Sequence, residues 1–380
     1  MSTDVQAAWV AALASILVAA LSLATSIWTN ITASKTQRDA DATARSLADL
    51  TASLADQNDA AKARRDYEYK ARKRLYQELY PLVFQLQEAA LSARHRIMNL
   101  ALASREGDLA PGPKNWLTSS NSYYFTSVVH GLIAPLAIYE LMSRKLTLLD
   151  LSLDDDLRCQ HFIARQAYEA LRSDYNLTQK PYTPIAFGAG KGAYDPPEDR
   201  PADPPSELDQ RWSWRQGLYS GQIGQAVAIM LHMDGSASRV MTFAEFTAAL
   251  GGIDLRTDDD PAAANTVAGN MKTVLRPMAD LVRGFHPARR PVTWRILMAQ
   301  AACYRTLALA QSGERAPQAL LHASKLAGAK DPADFDWIGD GQASIPPALK
   351  GKVDFAAEQT AALAAGDQFI ETAFKGFAHS

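Results

Sequence analysis

Apolar positions change period three times along this chain. From Val5 to Trp28, "VQAAWVAALASILVAALSLATSIW", no charged residue interrupts them. At ~1.5 Å per residue such a helix reaches roughly 36 Å, enough to cross a ~30 Å hydrocarbon core with some tilt. Trp9 and Trp28 stand near its ends, at the depth of an interfacial aromatic belt. A cleavable signal peptide needs a basic n-region, and only Asp4 and the amino group precede this run. The pattern therefore predicts a single transmembrane helix over residues 1–34.

The period then narrows. Between Thr36 and Tyr80 there is neither Gly nor Pro, and Leu47, Leu50 and Leu54 keep a/d spacing. Ala61, Leu75 and Leu82 fall in the same heptad phase, but so does Glu68, with Gln57 and Arg64 at the companion positions. A strict two-stranded coil would not choose those residues. The expectation is a helical stalk over 35–80 with partial coiled-coil character. Asp66 with Lys70, and Glu68 with Arg72, are i,i+4 pairs in the favourable order.

Pro81 is expected to kink or restart the helix. After it, Leu82, Leu86, Ala89, Ala93, Ile97 and Leu100 recur at helical spacing until "GDLAPGP" (107–113) ends the run. "SYYFTSVVHGLIAPLAIYELMSRK" is long enough to come close to spanning a bilayer. His130, Gly131 and Pro135 at its centre argue for a buried core helix instead. A further helix is expected from about Asp154 to Asp174, opened by Asp154, Asp155 and Asp156. Residues 176–206 are rich in Pro and Gly and read as an excursion or linker. It separates a first helical part, 81–175, from a second, 207–380. Helical periodicity resumes at 208–233, 243–250, 261–284, 291–312, 316–327 and 353–377. The fold class is all-α: a single span, a long stalk and a multi-helix cytoplasmic domain.

Composition supports that picture. The chain is 47% hydrophobic and 21% charged, with a formal charge of −2, so no global field recruits nucleic acid or lipid. Cys159 and Cys303 are its only cysteines, which excludes a disulfide framework and a Cys-based zinc site. Lys35, Arg38 and Arg45 follow the span and nothing basic precedes it. The positive-inside rule places the N-terminus outside a bacterial inner membrane and residues 35–380 in the cytoplasm.

One stripe of the span is small or hydroxylated: Ala8, Ala11, Ser15, Val18, Ser22, Thr25, Thr29 and Thr32. In lipid, small residues let helices approach and hydroxyls bond across the seam. Ala8, Ala11, Ser15, Ser22, Thr25 and Thr29, with Leu47, Leu50 and Leu54 of the stalk, are the expected oligomerisation residues of a homo-oligomer.

The basic run Lys62, Arg64, Arg65, Lys70, Arg72, Lys73 and Arg74 is interleaved with Tyr67 and Tyr69. On a straight helix Lys62 stands roughly 50 Å beyond Trp28, whereas the field of a leaflet decays over ~8 Å. Its own membrane is out of reach, no recognised nucleic-acid module is present, and a solvated helix face is the favoured reading.

Other motifs are weaker. "DGSASRVMTFAE" (234–245) places Asp234, Ser236, Ser238 and Glu245 at calcium-loop spacing, but Arg239 sits where a Gly is needed. Thr242 and Glu245 make a capping box that explains the acid without calcium. "GAGKG" (188–192) lacks the spacing of a phosphate loop. Asp260 before Pro261 reads as a helix N-cap, and Cys159 and His161 on one helix point to different faces. The strongest candidate contact is "RPMADLVRGFHPARRPVTWR" (276–295). It gathers Arg276, Arg283, His286, Arg289, Arg290 and Arg295 around one acid, Asp280, beside a helix start at Pro291. Free N–H groups there and the guanidiniums suit an acidic or phosphate-bearing partner.

"DYEYKARKRLYQELYPLVFQL", "APLAIYELMSRKLTLLDLSLD" and "GFHPARRPVTWRILMAQA" resemble segments of an uncharacterised family of membrane-anchored helical proteins from high-GC bacteria. The resemblance implies a bacterial source and brings no activity or catalytic residue with it. No catalytic residue, metal ligand set or cofactor is assigned. The expected function is a membrane-anchored scaffold, sensor or adaptor that self-assembles. A ligand-triggered oligomeric membrane effector, in phage defence for example, is the alternative, and an undetected hydrolase is third.

Overall fold

The structure is a computed structural model that describes residues 3–109, 115–117, 122–147, 149–174, 177, 211, 216–234, 237–257, 266–311, 325–326, 331–339, 345–346 and 349–378. Eight α-helices are described: α1 (Thr3–Arg105), α2 (Ser122–Leu146), α3 (Asp155–Ala170), α4 (Ser220–Met230), α5 (Phe243–Leu250), α6 (Val267–Val282), α7 (Pro291–Gln311) and α8 (Phe355–Ala378). One hairpin, β1 (Leu231–Asp234) with β2 (Ala237–Val240), is the only sheet among the described residues. The linker expected at 176–206, the "GAGKG" segment and the cap at Asp260 lie outside the described residues, as does nearly all of the helix expected at 316–327.

The chain divides into two units, Met1–Lys70 and Ala71–Ser380. The first contains only α1. From Asp4 to Lys70 every side chain except Glu68 is exposed, including the whole apolar stretch. A stretch apolar on all sides, with no second described element in its own unit to cover it, is a candidate membrane anchor.

The second unit holds one core, and Leu75 is the first residue of α1 to enter it. Leu75, Leu79, Leu82, Val83, Leu86, Ala90, Ala93, Ile97 and Leu100 are buried at helical spacing. Of the kink or restart expected at Pro81, the restart does not occur: α1 runs through it to Arg105. Pro81 and Gln77 both lie on the exposed face. The carbonyl that loses its N–H partner therefore faces water, while buried leucines on either side hold the helix. Each buried side chain contributes about 1.5–3 kcal/mol, against a proline cost of ~3 kcal/mol.

α2 is a core helix, with 83% of its most apolar window buried. Gly131 lies where it meets α1, since a Cβ there would stand 3.1 Å from Cγ of Arg96. Lys145 of α2 pairs with Glu78 of α1, and Gln87 of α1 donates to Gln160 of α3 at 2.8 Å. α7 is the innermost helix: nearly every residue from Pro291 to Tyr304 is buried, and it packs against both α3 and α8. Elements on either side of 176–206 thus share one core.

The hairpin corrects the expected helix at 208–233, which ends at Met230. The two strands pair antiparallel, Leu231 with Val240 at one end and Asp234 with Ala237 at the other. Caps fix other boundaries. The Asp154 carboxylate accepts from Leu157 N–H at 2.9 Å at the start of α3, Thr242 and Glu245 form the capping box of α5, and Thr266 caps α6.

Gly366 of α8 lies against α7, where a Cβ would stand 2.8 Å from the Met298 carbonyl oxygen. Gly366→Ala is expected to destabilise the chain by roughly 1–3 kcal/mol in thermal unfolding. Gly224→Ala on the exposed face of α4, where nothing lies within 4 Å, is expected to be neutral or to stabilise by about 0.5–1 kcal/mol.

Candidate functional site

The arginine-rich segment is built by the end of α6, a short turn and the start of α7. α6 closes at Val282, and Gly284 takes φ +62, a left-handed conformation that suits a residue without a Cβ. Pro291 then opens α7, with its fixed φ and missing N–H at the first helical position.

Each of the six candidate residues has a definite place. Arg276 and Arg283 flank Asp280 on α6, at 3.8 and 3.5 Å, with side chains 40% and 28% exposed. Arg283 also donates to the Leu255 carbonyl at 3.1 Å, holding the loop between α5 and α6. Arg290 turns back and donates to the carbonyls of Asp280 (2.7 Å) and Leu281 (3.2 Å) in the last turn of α6, where the helix dipole favours a cation. Arg295 is buried and donates to the Leu177 carbonyl at 2.7 Å. Burial lowers the pKa of Arg290 and Arg295 alike. Arg289 has interacting neighbours as well.

His286 is 2% exposed. Its Nδ1 accepts from Ala288 N–H at 3.1 Å, so Nδ1 carries no proton there. Nε2, 3.3 Å from the Ser104 hydroxyl near the end of α1, then carries the proton of the neutral ring. The ring lies edge-on to Trp337. Nδ1 fastens the turn internally and Nε2 ties it to the last turn of α1. The first-turn N–H of Thr293 is likewise filled, by the Gln216 side-chain carbonyl at 3.1 Å. Anion capture by that N–H, which the sequence suggested, would require Gln216 to leave.

Sequence reasoning missed the polar cluster beneath this turn. Arg211, 1% exposed, donates to the Ala288 carbonyl and pairs with Glu358 of α8, its guanidinium 5.4 Å from the Phe355 ring centroid. Beside it Trp294 Nε1 donates to Gln359 at 3.2 Å, and Gln359 donates to the Phe335 carbonyl at 2.8 Å. No local signal marks Arg211, because it meets its partner across 147 positions of sequence.

Two Ser–His contacts resemble parts of a nucleophilic dyad. Ser104 and His286 are sealed in the core. Ser143 and His161, 3.1 Å apart, are half-buried, and His161 lies against Tyr139. Burial, then the neighbouring Arg165, pushes His161 down to about 4, which makes it a poor base near neutrality. Cys159, by contrast, is a buried thiol pushed up to about 11 by desolvation. At the calcium-like segment Glu245 is already engaged, with Arg239 at 2.7 Å and Thr242 N–H at 2.9 Å.

Five hydroxyls of the apolar stretch and its end are satisfied within α1. Ser15, Ser22, Thr25, Thr29 and Thr32 each donate to a carbonyl three or four residues back, at 2.8–2.9 Å. Ala8, Ala11 and these residues therefore present a small, donor-spent surface. Leu47, Leu50 and Leu54 are 57%, 58% and 51% exposed. Glu68 pairs with Arg64 at 3.0 Å, where sequence spacing pointed to Arg72.

No protein-family model matches the chain, and no curated protein and no solved structure shows significant similarity to it.

Two outcomes follow from the cluster chemistry. Arg211→Met is expected to destabilise the protein by roughly 3–5 kcal/mol, because Glu358 stays buried without its cation. Arg211→Met/Glu358→Gln should cost clearly less in the same unfolding measurement. For His161 the folded pKa lies below the ordinary ~6.5, so its contribution is full above pH 6.5 and is lost as pH falls towards 4. Stability should therefore fall with acid by up to about 1.4 kcal/mol per pH unit in that window, and His161→Asn should remove that slope.

Proposed function

We propose that this protein is a membrane-anchored helical scaffold, sensor or adaptor that self-assembles through its span and stalk. In this reading it lies in a bacterial inner membrane, N-terminus outside, with residues 35–380 in the cytoplasm. The observation that carries it is the unpartnered state of the first unit. Leu47, Leu50 and Leu54 share one face of α1, each more than half exposed, and that unit contains no second element to cover them. Water-exposed leucines at a/d spacing gain by packing against another helix. Chains anchored in one membrane bring identical stalks together in parallel.

Within the arginine-rich segment, contact with an acidic or phosphate-bearing partner falls to Arg276 and Arg283. Their side chains retain exposure, while His286, Arg290 and Arg295 serve the fold. The alternative, a triggered membrane effector, drew on the hydroxyls of the span. Of these, Ser15, Ser22, Thr25 and Thr29 donate to carbonyls of their own helix, which bears on the span's part in either reading, and the scaffold reading rests on the stalk leucines.

The test is disulfide formation between copies in native membranes. The two natural thiols are buried, so an introduced cysteine is the reporter. Leu47→Cys, Leu50→Cys and Leu54→Cys should cross-link, and Ala52→Cys, on the opposite face, should not. Equal cross-linking at all four positions, or none at any, contradicts the proposal.

A further inference from the structure

Two charged residues sit where the stalk's heptad would place apolar ones. Counting on from Leu47, Leu50 and Leu54, the seam passes through Gln57 and Ala61 and then meets Arg64 and Glu68. Their side chains form an ion pair at 3.0 Å with relative exposures of 82% and 38%, and Glu68 is the one half-buried residue among those described in the first unit.

We propose that Arg64 and Glu68 are a register key, through which a second copy of this chain docks in parallel and in register. This inference rests on the self-association proposed above and names its geometry. In a parallel pair every seam residue faces its own copy. Arg64 then meets the second Arg64, and one turn on Glu68 meets the second Glu68. Four charges of alternating sign stack within about 6 Å, the rise of one helical turn. Each guanidinium bridges its own carboxylate and that of the second copy, so the pair already formed within one helix becomes a four-membered network between two. Only the in-register arrangement closes it. A slip of one heptad in either direction puts Arg64 against Gln57 or Ala71 rather than against the matching layer. The leucines at 47–54 supply the attraction, and the charged layers select among its registers, a role buried polar seam residues play at some cost in stability.

The second copy is favoured over an unrelated partner by this self-complementarity. The motif contains both signs in equal number on one face, and its own repeat is the surface that matches it.

The experiment uses the full chain in membranes, with Ala61→Cys as reporter next to the key and Leu47→Cys as reporter of the leucine seam. Arg64→Glu leaves two carboxylates at the key, and Glu68→Arg leaves two guanidiniums. Each variant alone should lose at least about tenfold in Ala61→Cys cross-linking, since facing like charges costs a factor of ten per ~1.4 kcal/mol. Co-expressed, tagged differently, the two variants should cross-link with each other at the level of the parent. The Leu47→Cys cross-link should persist throughout. Unchanged Ala61→Cys cross-linking in both single variants, or a mixed pair no better than either alone, overturns the register key while leaving self-association intact. Failure of Leu47→Cys to cross-link even with natural Arg64 and Glu68 overturns the self-association reading and the key together.

Discussion

The burial of apolar side chains along one helix is the interaction on which the rest depends. α1 extends from Thr3 to Arg105, and its sequence is written for three environments in turn. Up to Trp28 it is apolar on every side, which suits lipid, where backbone bonding is complete and side chains need no water. Over 47–54 the apolar part contracts to a leucine line, enough for one partner helix. From Leu75 it widens again into a face buried by the rest of the second unit. That last stretch finds its cover within its own unit.

The second unit shows how a mostly helical core accommodates cations. Arg211, Arg290 and Arg295 point inward, and each meets backbone carbonyls or a carboxylate instead of solvent. Guanidinium suits this role, because its planar array of donors can serve helix-end carbonyls that would otherwise be buried without partners. Much of the arginine density between 276 and 295, which reads in sequence as a recognition surface, is thereby spent on joining α6, α7 and the residues around them. His286 is employed likewise, its two nitrogens linking the turn to the last turn of α1.

How far the sequence disclosed this depended on the range of the interactions. The apolar N-terminal helix, α3, α5, α7 and α8 were legible because periodicity, caps and an opening proline are local signals; α5 starts at Phe243, directly after its capping Thr242. α2 as a core helix was legible from His130, Gly131 and Pro135. Pro81 misled because the cost of a proline depends on which side of the helix it faces, and that is decided by distant packing. The hairpin at 231–240 was hidden because Leu231 and Met233 continue the apolar character of α4, and two short strands leave little alternation to read. Of the candidate contact, the residues were found and their roles were not. Whether an arginine meets solvent or a carbonyl such as that of Leu177, 118 positions away, is fixed only by the tertiary fold.

The central claim is that the first unit, not the second, assembles the protein. It is tested most directly by the protein mass, from light scattering in mild detergent, of the full chain beside residues 71–380, which contain the complete core. The account predicts an oligomer for the full chain and a monomer for residues 71–380. Oligomers of the same number from both would place assembly in the second unit and contradict it, and so would monomers from both.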